Sequence, residues 1–426
     1  MKKKNVALGF MQWTIRPLLL RPAMGASLIA VFLITVIPNL IFSIVAPGHS
    51  VVGKSFGADD AYYYFQIAHN IASGYGSSFD QITKTNGFHP LWLLTSTPIF
   101  PLAQLNHILP LRVVLIFTSL LHFGSIALIL LSLERFGIRR LAGFSAVILF
   151  LLSPGWDQIL NSGMETALNF FLLSLFVYQL SYNLHKGIEF TGKNGSFTGT
   201  IAGLLFLARL DNCFVIPVLT FFFFAYLLFA YRLSWNQSIS IGIKYFTPLV
   251  AIVFTYCLIS QLYYGGIVPV SGQVKMYWHS IGGSVFGNQP QSLIDSILSY
   301  FSNQTQIVSG KPPAGPVAKI AGILPFDNQS YFVSWAIIIP FVFFFFYKGF
   351  VLKCLTLSLL LASIIHTLYY AVVGHVQAQS GYWVIEYLTF LLFIALGLDS
   401  FLSVLRIKNG TLVTSIAVLL LLLAMS

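Results

Sequence analysis

The chain is short of charge, and above all of acid. Only 12 of its 426 residues are Asp or Glu, and charged residues make up 8% of the whole, where a water-soluble globule averages about 25%. That scarcity excludes a soluble domain. Cysteine is scarce as well: Cys213, Cys257 and Cys354 fall in or beside apolar runs without metal-ligand spacing, so they read as small buried hydrophobes and not as a disulfide framework or zinc site. No internal repeat is visible.

What fills the chain is hydrocarbon. It is 57% hydrophobic with a mean hydropathy of +0.82, and apolar runs near the roughly 20 residues needed to cross a bilayer recur along most of its length. Eleven spans are predicted, at 23–46, 110–133, 141–154, 165–183, 197–208, 213–230, 239–262, 331–347, 353–371, 382–400 and 411–426. The fold class is therefore an all-α polytopic membrane protein. The net charge of +11 reflects topology and not nucleic acid, because Lys and Arg gather in cytoplasmic loops. The basic start Met1-Lys2-Lys3-Lys4 precedes an apolar stretch without a small-x-small cleavage site, and it reads as a retained first helix.

The apolar stretch 89–105 is interrupted by Pro90, Pro98 and Pro101 and suits a half-crossing better than a full span. With the N-terminus inside and this segment dipping in and out, sixteen of the 23 basic residues fall on the cytoplasmic side. Counting it as a full span would send Arg135, Arg139 and Arg140 outside, against the positive-inside rule. Two long segments then face outward, 47–109 and 263–330. The chain reads as a single integral-membrane domain over 1–426, with no soluble domain after the last span.

The few acids are not scattered. Asp59-Asp60 opens the segment Gly57-Ala58-Asp59-Asp60-Ala61-Tyr62-Tyr63-Tyr64-Phe65, just beyond the first span. Residues 59–72 read as a short surface helix with Phe65, Ala68 and Ala72 on one face and Gly74 and Gly76 at its end. One Asp serves as its N-cap; two leave a carboxylate over. An acid at a membrane surface is a functional-site hypothesis in its own right.

Further along, Thr83-Lys84-Thr85-Asn86-Gly87-Phe88-His89-Pro90-Leu91-Trp92 sets Lys, Asn and His in a turn before a helix. It reads either as a polar loop or as a place where Lys84 and His89 meet a phosphate or a sugar hydroxyl. Glu165, in Ser162-Gly163-Met164-Glu165-Thr166, either complements a helix dipole or faces Asp59 and Asp60 as a metal ligand or hydroxyl acceptor. In Ala208-Arg209-Leu210-Asp211-Asn212, Arg209 and Asp211 form a structural ion pair or Arg209 offers its fork to phosphate. Val268 to Lys275 ends on a cation that snorkels or completes an anion seat with the amides around Ser271-Gly272. Tyr382-Trp383 read as interfacial aromatics, and Glu386 enters a span with no partner evident.

In this order the motifs resemble the GT-C superfamily of membrane glycosyltransferases, which includes protein O-mannosyltransferases, aminoarabinose and arabinofuranosyl transferases and the oligosaccharyltransferase catalytic subunit. Members carry an acidic motif in the first outer loop, matched by Asp59-Asp60. The Thr85–Trp92, Ser162–Thr166, Ala208–Asp211 and Pro269–Gly272 segments follow in similar order, as in many bacterial and archaeal members. The resemblance covers roughly residues 1–280.

It implies inverting transfer of a sugar from a polyprenyl-phosphate carrier to a hydroxyl of a glycan, lipid or protein acceptor on the extracytoplasmic face of a bacterial or archaeal plasma membrane. Asp59 or Asp60 is the implied general base. Lys84, Asn86, His89, Arg209, Asp211 and Lys275 are the implied donor-phosphate and substrate contacts. Members work with Mg²⁺ or Mn²⁺ or without a metal; Asp59, Asp60 and Glu165 are the candidate ligands. The rival class is a multi-span transporter or lipid flippase, whose acids would lie near the midplane on broken helices of inverted repeats.

Overall fold

The computed structural model describes residues 22–56, 60–151, 162–186, 192–280, 340–370 and 383–405. Asp59, the 153–158 turn, Tyr382, the expected span 411–426, and most of the 263–330 loop and of the 331–347 span lie outside the described residues. In chain order the helices are α1 (Pro22–Thr35), α2 (Ile37–Val45), α3 (Gly48–Ser55), α4 (Asp60–Ala72), α5 (Pro90–Ser96), α6 (Leu109–Arg135), α7 (Arg140–Leu151), α8 (Thr166–Lys186), α9 (Gly192–Ala208), α10 (Val215–Ala230), α11 (Trp235–Tyr264), α12 (Val270–Ser280), α13 (Phe350–Leu368) and α14 (Val384–Val404). Short 3-10 turns at Thr97–Gln104 and Leu210–Cys213 follow α5 and α9. Among the described residues, seven helical stretches are long and apolar enough to cross a membrane: Met24–Val45, Leu109–Arg135, Thr166–His185, Leu210–Ala230, Trp235–Tyr264, Phe350–Leu368 and Val384–Val404. Arg140–Leu151 and Asn194–Ala208 are shorter apolar helices. These nine correspond to nine of the eleven expected spans.

The spans differ in what they face. Helix α8 is mostly buried, whereas α11 buries almost none of its apolar window and exposes Ile239, Ile243, Phe254 and Leu262, as a lipid-facing helix should. It is attached along one seam. A Cβ at Gly199 of α9 would run into the Tyr245 carbonyl of α11, and one at Gly203 would meet Ile252 at 2.7 Å. This small-xxx-small pair lets two backbones approach where no hydrophobic effect separates lipid from protein. Helix α11 starts at a capping box between Ser234 and Gln237 and ends on Gly265 at φ 77°.

The helix through 89–105 is interrupted at its prolines. Pro90 opens α5, and Pro98 and Pro101 lie in the 3-10 turn that replaces a continuing helix. Helix α4 also forms where expected, and Gly74 and Gly76 take positive φ just beyond it. Its buried face is Ala61, Tyr64, Phe65 and Ala68; Ala72, expected on that face, is exposed because the chain there already turns outward.

At the end of the bundle away from α4, Arg139 pairs with Asp399 at 3.1 Å and Arg140 with Glu134 at 3.1 Å. Arg135 lies between the rings of Tyr178 and Tyr182, 4.6 and 4.7 Å from their centroids. Those acids are counter-ions of the basic helix ends. The remaining described acids, Asp60, Asp80, Glu165, Asp211 and Glu386, belong to other surroundings.

Candidate active site

Helix α4 is seated by aromatics. Phe65 packs against Phe56, Tyr62 and Phe100 with centroids 5.2, 5.7 and 5.6 Å away. Asp60 stands half-buried in its first turn, where the helix dipole favours a carboxylate. The turn before α8 is pressed onto this helix. Gly163 adopts φ +70°, and a Cβ there would meet Phe56 at 2.6 Å, Phe65 at 2.9 Å and Ala61 at 3.1 Å. Conformation and space therefore both demand glycine. The fully buried Trp92 donates its indole N–H to the Gly163 carbonyl at 3.1 Å. Two residues later, Glu165 is delivered into the interior with 1% of its side chain exposed.

Tyr64, one turn into α4, accepts a hydrogen bond from the backbone N–H of His89 at 3.0 Å. Burial first, and the nearby Glu165 charge second, hold its phenol well above the ordinary tyrosine range. The His89 ring accepts from the Leu210 N–H at Nδ1, at 3.4 Å, and turns Nε2 toward Glu165 Oε1 at 3.6 Å. One histidine thus touches α4, the α8 turn and the turn after α9.

Arg209 lies between α9 and the following 3-10 turn in an extended conformation, φ −150° and ψ 123°. Its fork closes on Asp211: Nη2 lies 2.7 Å from Oδ2 and Nε 3.1 Å from Oδ1. Its Nη1 donates to Glu165 Oε1 at 2.7 Å. Only 3% of the Arg209 side chain is exposed. Of the two roles open in the sequence, the observed contacts are those of the ion pair, with Glu165 as an added partner that the sequence did not suggest. Glu165 Oε2 is buried without a hydrogen-bond partner among the described residues.

Asp211 collects more. Its Oδ2 also accepts from the Tyr370 hydroxyl at 2.8 Å and lies 3.2 Å from His366 Nε2. The other ring nitrogen of His366 is 3.7 Å from Glu386 Oε1, which accepts from Ser363 at 2.9 Å and Thr367 at 3.4 Å. A chain of ionisable groups therefore runs Glu165–Arg209–Asp211–His366–Glu386 across α8, the 3-10 turn, α13 and α14. His366, Tyr370 and Tyr64 escaped the sequence reading. The available signal was His366, an ionisable residue inside a predicted span, which alone named no partner.

Lys84 and Asn86 lie in a second cluster, held mainly by hydrogen bonds between neutral groups. Asp80 Oδ1 organises the loop by accepting from Ser78, Ile82 and Thr83 at 2.9, 2.9 and 2.7 Å. Lys84 sits 4.0 Å above the Tyr263 ring, and Ser77 shares a 2.6 Å hydrogen bond with Tyr264. Asn86 is buried. Its amide donates to Ser260 at 3.1 Å and to the Gly266 carbonyl at 3.4 Å, and its oxygen accepts the Val270 N–H at 3.0 Å. It therefore caps α12 from 184 residues away. Gly272 N–H, expected to help seat an anion, donates to the Pro269 carbonyl at 3.0 Å. Lys275 belongs to α12.

The structure thus brings His89, Glu165, Arg209 and Asp211 together, against the helix that Asp60 opens. Lys84 and Asn86 join the α11–α12 corner instead. The Thr83–Trp92 segment links both groups.

The fold is similar to that of the Archaeoglobus fulgidus oligosaccharyltransferase, in a crystal structure of its complex with Zn and sulfate. The TM-score is 0.53 at 16% sequence identity, over 92% of this chain and 51% of that one. The chain has the GT-C fold. It spans about half the length of that oligosaccharyltransferase. No family model matches the sequence, and no curated protein matches it. The GT-C fold agrees with an all-α integral membrane protein.

Proposed function

We propose that the chain is a membrane glycosyltransferase that moves a sugar from a polyprenyl-phosphate carrier to an acceptor hydroxyl on the extracytoplasmic face, with inversion. The observation that carries this reading is the acid-opened helix α4, on a GT-C fold, with the Gly163–Glu165 turn packed against it. One carboxylate of Asp59-Asp60 takes the acceptor O–H proton while that oxygen attacks the anomeric carbon. The bond from that carbon to the phosphate oxygen breaks on the opposite side, and the electron pair leaves with the lipid phosphate. Lys84 and Lys275 supply positive charge to the leaving group. Arg209, held by Glu165 and Asp211, contributes a fixed wall; His89 and Asn86 shape the approach.

Hard oxygen donors suit Mg²⁺ or Mn²⁺, and Asp59, Asp60 and the bare Oε2 of Glu165 would hold such an ion. Among the described residues no group of three or more His, Cys, Asp or Glu is arranged for a metal, and Arg209 already compensates the Glu165 charge. A bound ion would supply charge for the departing phosphate, and no step above is routed through it.

The test is Asp59→Asn and Asp60→Asn in the full chain, with transfer from a synthetic polyprenyl-phosphate sugar as readout. The residue acting as base should lose roughly a hundredfold or more in rate, and the other much less. Wild-type transfer by both variants would sink the assignment.

A further inference from the structure

The polar chain extends beyond the groups that can touch substrate. His366 and Tyr370 lie four residues apart on one side of α13 and its end, and both reach Asp211 Oδ2, at 3.2 and 2.8 Å. The same oxygen also takes one end of the Arg209 fork, at 2.7 Å. Asp211 thus receives the fork, a phenol and an imidazole, and a carboxylate so surrounded is an anion that only accepts hydrogen bonds. The hydrogen between it and His366 must therefore sit on Nε2.

The other arm is looser. Among the described residues, Nδ1 of His366 has no hydrogen-bond partner, and neither has Glu386 Oε2; Glu386 Oε1 lies 3.7 Å from Nδ1. The groups facing the ring are Asp211 from the 3-10 turn, Glu386 from α14 and Tyr370 from its own chain segment. Arg209 and Glu165 stand behind Asp211, and Tyr387 follows Glu386. Only 2% of the His366 side chain is exposed, so it acts through its neighbours and not on a ligand.

We propose that His366 is a positioning residue: its Nε2–H fixes Asp211, and Asp211 thereby keeps the Arg209 fork directed at Glu165 beside α4. The role of that wall in sugar transfer rests on the reading above, whereas the grip on Arg209 does not.

Two conservative variants separate the arms. His366→Gln keeps an amide donor near the Nε2 position; His366→Asn keeps one near Nδ1 and loses the Asp211 contact. His366→Ala removes both. The full chain in detergent would be treated with phenylglyoxal and Arg209 modification followed by peptide mass spectrometry. kcat and KM would be measured with the synthetic polyprenyl-phosphate sugar. His366→Asn and His366→Ala should raise the rate of Arg209 modification about tenfold or more, from loss of a charge-assisted buried hydrogen bond. They should lower kcat about tenfold to a hundredfold, with KM changed by less than about threefold, as misplacement of a supporting shell does. His366→Gln should stay near wild type in both measurements.

Equal protection of Arg209 in all variants, or a normal His366→Asn with a defective His366→Gln, overturns the proposal. If His366→Ala does not fold, the Gln and Asn pair still decides. If the wild type transfers no sugar, the functional reading fails, while Arg209 reactivity still tests the grip.

Discussion

The buried chain from Glu165 to Glu386 and the loop clamp from Asp80 to Val270 lie side by side, yet they are built from opposite materials. The first opposes full charges in the protein interior. Three carboxylates share one arginine and one histidine, and almost no water reaches Arg209 or Glu165. The second ties an exposed loop to α11 and α12 through neutral hydrogen bonds, with its one acid satisfied by backbone N–H groups and a serine. The difference is one of tolerance. Removing one member of a buried ion set strands its partners as uncompensated charges, whereas removing an amide from the clamp strands only neutral groups, at a smaller cost.

The largest effect should follow Arg209→Ala. It leaves Glu165 and Asp211 buried without their cation, and loss of one partner from such a set costs about 3–5 kcal/mol. Thermal unfolding in detergent should show a drop of several degrees or failure to accumulate. Arg209→Lys, which keeps the charge and loses the fork, should fall between. An Arg209→Ala variant as stable as wild type would mean the chain is solvated, and the contrast with the clamp would vanish.

Asn86→Ala should cost less, about 1–3 kcal/mol, the penalty for buried groups left without a partner. Its signature is local: hydrogen exchange at the Val270 amide should accelerate, while amides of α8 stay protected. Equal acceleration in both would show that the two regions unfold as one.

The smallest effect concerns Asp80. Its three hydrogen bonds, those from Thr83 and Ile82 first, hold the carboxyl below the ordinary carboxylate range. A group with a depressed folded-state pKa stabilises above its unfolded value, about pH 4, and loses that contribution as pH falls toward the folded value. Asp80→Asn should therefore match wild type more closely in acid than at neutral pH, by unfolding midpoint measured across that range. An unchanged difference at all pH values would show that the turn does not depend on the ionised form.

Much of the frame was legible beforehand. The spans followed from apolar runs because lipid leaves the backbone no choice but helix. The 89–105 break followed from three prolines, and α4 from apolar spacing ended by two glycines. The candidate residues were legible as types in places: an Arg209–Asp211 ion pair was one of two roles the sequence left open, beside a phosphate contact for Arg209. Glu165 as a second partner of Arg209 was not legible, because 44 residues separate them and only the α8–α9 packing closes that gap. Asn86 was read for its polarity, while its contacts come from Ser260, Gly266 and Val270, residues that nothing in the Thr83–Trp92 segment foreshadows.

The sequence by itself therefore determined a helical membrane protein, its order of motifs and the place where acid is spent. Those are properties of composition and local periodicity, enforced by the energy of exposing polar backbone to hydrocarbon. Tertiary structure alone decided which charges meet. A single Arg209 can satisfy Asp211 locally, but whether its third contact is Glu165, a phosphate or water depends on how α8, α9 and α13 converge. Glycines fix the neighbouring distances: Gly163 lets the turn before α8 close on Phe56, Phe65 and Ala61, and Gly199 and Gly203 let α9 close on α11.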